Sequence, residues 1–110
     1  MPESKEEILR KVRDLLSDPA RWTKGWFAKD SSENPCVPTS KDAVCWCALG
    51  AMRKQLGYVE DDLFMEITRD LEAILKKQGY NHSLATFNAD PATTHNQMMK
   101  LLNLAIGEDE

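Results

Sequence analysis

Ser40-Lys-Asp-Ala-Val-Cys-Trp-Cys-Ala-Leu-Gly-Ala-Met-Arg-Lys-Gln-Leu-Gly57 is the stretch whose reading decides the fold. Taken as one helix, it carries Cys45, Ala48, Leu49, Met52 and Leu56 on one face at about 100° per residue. Ala43, Cys47, Gly50 and Ala51 fall on a second arc made only of small residues, and Trp46 lies between the two. Before Arg53 and Lys54 there is almost no polar face, and a helix that is apolar all round is a buried one. Ser40 is an N-cap residue type, Asp42 suits the positive end of the helix dipole, and Gly57 suits the left-handed turn that ends helices. Gly50 in a helix interior costs about 1 kcal/mol relative to Ala, which a close approach by another backbone or a ligand would compensate. That approach is expected from the Trp22-to-Phe27 segment or from the Asn88-to-His95 turn.

Outward from this stretch, the flanking helices announce themselves by caps and stripes. Ser4 and Glu7 form a capping box. Ile8, Leu9, Val12, Leu15 and Leu16 then recur at helical spacing, so helix one is expected from about Lys5 to Ser17. Asp18-Pro19 disfavours its continuation, because the residue before proline is pushed out of the helical region. After Gly57, Asp61 or Asp62 can cap a helix with Leu63, Phe64, Ile67, Leu71, Ile74 and Leu75 on its apolar face, closed by Gly79. Ser83 to Phe87 is long enough for one short helical turn. Thr94 and Gln97 form a second capping box for a last helix with Met98, Leu101, Leu102 and Ala105, ended by Gly107.

Trp22 to Pro38 is irregular and long for a connection in so small a domain. It concentrates Trp22, Trp26 and Phe27, with room for a short extended piece at Trp26 to Ala28. The expectation is an all-α fold: one domain over residues 1–110, a compact bundle of about four helices, with this aromatic-containing loop between helices one and two.

The 110 residues are 42% hydrophobic and 29% charged, with a net charge of −4. These are values of an ordinary globular protein and give no nucleic-acid footprint. No apolar run approaches the ~20 residues of a membrane span, and the charged N-terminus is not a signal peptide, so the expected place is the cytoplasm. Cys36, Cys45 and Cys47 are an odd set that argues against a disulfide framework. No CxxC or HxxxH spacing is present among Cys36, Cys45, Cys47, His82 and His95, so neither a metal nor another cofactor is expected. An acidic-mimicry role is poorly based, because the charge is spread over mixed-sign surfaces.

Several motifs resemble those of a known family. Asp18-Pro-Ala-Arg-Trp22-Thr-Lys-Gly25, Ala28-Lys-Asp30, Ala43-Val-Cys-Trp46-Cys47-Ala-Leu-Gly50-Ala51 and Phe87-Asn88, followed by Pro91 and Thr94-His95, are similar to a small bacterial and phage family of unknown function, number six-one-nine-seven. The resemblance covers nearly the whole chain and implies a mostly helical fold, but no activity. Members read Trp-Asn-Asp where this chain has Phe87-Asn88-Ala89, and its acid is Asp90.

Candidate site residues are Trp22, Trp26, Trp46, Cys47, Asn88 and His95. Asn88, His95 and a nearby Trp can line a polar-aromatic pocket, and an exposed Trp can anchor a partner protein. The leading reading is a non-enzymatic helical module that binds a partner protein or a small ligand, with no catalytic residue. The alternative is a small cysteine hydrolase or transferase, with Cys47 as nucleophile and His95 as base. It requires the sulfur to be open to solvent and within hydrogen-bond reach of the ring.

Overall fold

A computed structural model describes residues 4–57 and 61–107. The described elements are α1 (Lys5–Leu16), a 3₁₀ turn (Pro19–Arg21), β1 (Ala28–Asp30), β2 (Ala43–Trp46), α2 (Ala48–Leu56), α3 (Asp61–Lys77), α4 (Leu84–Ala89) and α5 (His95–Ile106). The chain is mostly helical, as expected, but it is not purely α. β1 and β2 pair antiparallel, with Ala28 opposite Trp46 and Lys29 opposite Cys45.

The expected single helix over Ser40 to Gly57 is therefore corrected. Its first half is a strand and only its second half is a helix. The physical reason is that an apolar strand and an apolar helix meet here end to end. Val44 and Trp46 are strand-favouring residue types, and β2 goes from the exposed Val44 to the buried Trp46 as it enters the core. From Ala48 the helical period takes over, with Ala48, Ala51, Met52 and Leu56 buried. Joined end to end, the two apolar segments imitate a helix without a polar side. Ser40 caps no helix. Its carbonyl accepts from Ala43 N at 3.2 Å and its hydroxyl from Asp42 N at 3.1 Å, which turns the chain into β2.

The other helices follow their caps. Both capping boxes are formed, Ser4 with Glu7 on α1 and Thr94 with Gln97 on α5. In α1, Ser17 is the C-cap and lies just outside the helix. Asp61 and Asp62 lie inside the first turn of α3. The expected short turn after Ser83 is α4, with Ser83 as N-cap, so five α-helices are present among the described residues. Gly57 takes φ 67°, a conformation that side chains resist, and ends α2.

One apolar core joins the helices. α1 packs against α2 and α5, and α3 packs against α5. Ile8, Val12 and Leu16 of α1 meet Met52 of α2, Ile67 and Leu71 of α3, and Leu101 and Leu102 of α5 in one buried cluster. Each such side chain contributes about 1.5–3 kcal/mol on burial. Among the described residues, no helix is long and apolar enough to cross a membrane.

Candidate functional site

The irregular segment after α1 is tied down over the N-terminus of α2. Asp18 Oδ1 accepts from Ala20 N at 3.0 Å and shapes the 3₁₀ turn. Thr23 N then donates to the Trp46 carbonyl at 3.0 Å, and Cys47 N donates to the Phe27 carbonyl at 3.3 Å. Phe27 passes so close to α2 that a Cβ on Gly50 would overlap its carbonyl oxygen and lie 2.7 Å from its carbonyl carbon. This is the close approach expected at the small-residue face, and the Trp22-to-Phe27 segment makes it.

Asn88 makes the second approach. It is buried on α4, and its Oδ1 accepts from the Trp22 indole N–H at 2.8 Å and from Ala48 N at 3.0 Å. Its Nδ2 donates to the Thr23 carbonyl at 3.0 Å. One amide side chain thus joins α4, the first amide of α2 and the loop after α1. Lys24 adds a second tie from the same loop. Its ammonium donates to the carbonyls of Thr93 at 2.6 Å, Asp90 at 2.7 Å and Pro91 at 3.2 Å.

Cys47 is the N-cap of α2, and its Sγ accepts from Gly50 N at 3.2 Å. This corrects the expectation that Cys47 lies within a single helix from Ser40 to Gly57. Burial pushes its thiol pKa up, while the N–H groups of Gly50, Leu49 and Cys47 itself pull it down by less. A raised folded-state pKa means that stability is full below the ordinary thiol value of 9.0 and is lost as pH rises through the folded value. Cys36 is shifted the same way, first by burial and then by Asp30 and Asp42. In a Cys36→Ser background, urea midpoints are therefore expected to fall above pH 9.0. Cys47→Ser should flatten that fall, and an unchanged alkaline slope would contradict the assignment.

Between this loop, α2 and α4 lies a pocket of about 270 Å³. Trp26 and Phe27 form its rim, 55% and 56% exposed. Leu49, Ala85 and Ala89 line its sides, and the buried Cys47 and Asn88 lie at its base. Of the six candidate residues, Trp26, Cys47 and Asn88 line this pocket. Trp22 and His95 stand behind it: Trp22 holds Asn88, and the His95 ring lies 5.9 Å from the Trp22 ring, tilted by 56°. His95 Nε2 is 2.6 Å from the Leu16 carbonyl, which can only accept, so that nitrogen carries the hydrogen. Trp46 is elsewhere, buried, with its indole N–H on the Pro38 carbonyl at 3.0 Å. No hydrogen bond joins Cys47 to His95 among the described residues. Nor do these residues bring together three metal-ligating side chains.

Sequence reasoning missed Lys24, Phe27, Leu49, Ala85 and Ala89. For Phe27 the signal was present in the aromatic cluster it shares with Trp26. For Ala85 and Ala89 it was absent, because two alanines one turn apart read as plain helix.

No curated protein and no solved structure matches the chain. The model of a family of unknown function, DUF6197, matches residues 1–108, and the chain belongs to that family.

Proposed function

We propose that the protein is a non-enzymatic, cytoplasmic binding module whose Trp26–Phe27 pocket receives one large apolar side chain of a partner protein. The observation that carries this is the pairing of two exposed aromatics with an apolar cavity of about 270 Å³. Small-molecule and cofactor pockets run from about 300 to 1,000 Å³, so this one is sized for a single anchoring side chain. Anchors of that kind, seated in a desolvated pocket whose surrounding contacts exclude water, dominate binding energy at protein interfaces. The three free cysteines suit a reducing compartment. The thiol-hydrolase reading has less support, since the Cys47 sulfur and the His95 ring are each engaged with backbone groups.

The test is a titration of the labelled protein with indole, as a mimic of the anchor, followed by two-dimensional NMR. Shifts are expected at Trp26, Phe27, Leu49 and Ala85. Ala85→Trp should fill the cavity and abolish them. Ala85 is exposed, so stability should stay within about 0.5 kcal/mol of the parent. Shifts scattered over the surface, or unchanged by Ala85→Trp, would contradict the proposal.

A further inference from the structure

A second, larger cavity of about 520 Å³ lies between α3 and residues 80–83, which lead into α4. Arg69, Glu72, Ala73 and Lys76 are spaced as one face of α3 and form one wall. Arg69 and Lys76 are two turns apart, about 10 Å along the axis. Both are exposed, and neither has an ion-pair or hydrogen-bond partner among the described residues. Glu72, between them, also lines the cleft, and its Oε2 is occupied in accepting from Leu84 N at 2.8 Å. Tyr80, Asn81 and His82 form the other wall. Tyr80 is fixed edge-on against Phe87, with ring centroids 5.1 Å apart, and lies 6.4 Å from the His82 ring. The His82 Nε2 stands 4.0 Å from Asp90 Oδ2.

We infer that this cleft binds a small phosphate ester of nucleotide size. The two unpaired cations supply the charge-assisted donors that a phosphate group requires, and the Tyr80–His82 wall supplies ring surface for a planar group. The volume lies within the range of small-molecule sites, unlike the pocket beside Trp26. The chain as a whole carries a net charge of −4, so general attraction of anions is absent and recognition has to come from these side chains.

The experiment is a calorimetric and NMR titration of the full chain with adenosine 5′-monophosphate, adenosine and inorganic phosphate as separate probes. The monophosphate is expected to bind, with shifts at Arg69, Lys76 and Tyr80 to His82. Adenosine and phosphate should each bind at least about tenfold more weakly, since each lacks one half of the recognition. Arg69→Gln together with Lys76→Gln should weaken the monophosphate about tenfold or more while leaving the urea midpoint unchanged. Equal binding of adenosine would overturn the role of the phosphate. Equal binding of inorganic phosphate would overturn the ester assignment. Binding that ignores the double substitution, or no binding at millimolar monophosphate, would overturn the site.

Discussion

Gly50→Ala is expected to destabilise the protein by about 3 kcal/mol or more, although helix propensity alone favours the change by about 1 kcal/mol. The two effects have opposite signs, and packing decides. The added Cβ would overlap the Phe27 carbonyl oxygen and sit 2.7 Å from the carbonyl carbon. Both atoms are backbone and cannot rotate away. The Phe27 carbonyl is also the acceptor for Cys47 N, so moving it breaks the bond that ties the loop to the start of α2. Overpacking a tight site costs typically 1–3 kcal/mol and more where the obstacle is rigid. Urea denaturation measures the result. The same variant should lose the indole-dependent shifts, because Phe27 is half of the pocket rim. A neutral or stabilising Gly50→Ala would mean that the loop does not lie against α2.

The second large effect is expected at Asn88. Asn88→Ala removes the acceptor for the Trp22 indole and for Ala48 N, and the donor to the Thr23 carbonyl. A buried group left without a partner costs about 1–3 kcal/mol; Ala48 N is buried and the Trp22 and Thr23 groups are part-buried and cost less, so a loss of about 3–6 kcal/mol is expected. Trp22→Phe removes one of the three bonds and should cost less than Asn88→Ala. A double-mutant cycle between the two should show a coupling of about 0.5–3 kcal/mol, as for residues in one hydrogen-bond network. Strict additivity would contradict the bond between them. Asn88→Asp keeps the acceptor oxygen but turns an oxygen toward the Thr23 carbonyl, and should recover only part of the loss.

These two sites also mark how far the sequence could be read. α1 and α5 were legible because cap and stripe agree at each: Ser4 with Glu7 and the Ile8-to-Leu16 stripe, Thr94 with Gln97 and the Met98-to-Leu102 stripe; α3 was legible from its Leu63-to-Leu75 stripe, although Asp61 and Asp62 lie inside it instead of capping it. Consistency across such levels is what makes an element readable. The stretch from Ala43 to Trp46 was not legible, because a strand of four residues gains its stability from a distant partner at Ala28 to Asp30. Local periodicity contains no trace of that pairing. The small arc of Cys47, Gly50 and Ala51 did show that something must come close, and Phe27 and Asn88 both do. Which of Trp22, Trp26 and Trp46 faces solvent depended on the strand, and so was hidden with it. The bond from His95 Nε2 to the C-terminal carbonyl of α1 was likewise not legible, because the two residues are 79 positions apart.

Everything proposed for the Trp26–Phe27 pocket depends on the clasp that Asn88 makes between α4, α2 and the loop. Native-state hydrogen exchange reads that clasp bond by bond. The Ala48 amide stands at the first position of α2, where helices leave N–H groups without an intrahelical partner. It is predicted to exchange as slowly as the core amides of α2, and the Trp22 indole N–H is predicted to be protected with it. In Asn88→Ala both should exchange faster relative to the α2 core. An Ala48 amide and a Trp22 indole that already exchange at the free-peptide rate in the parent protein would contradict the clasp, and with it the origin of the pocket.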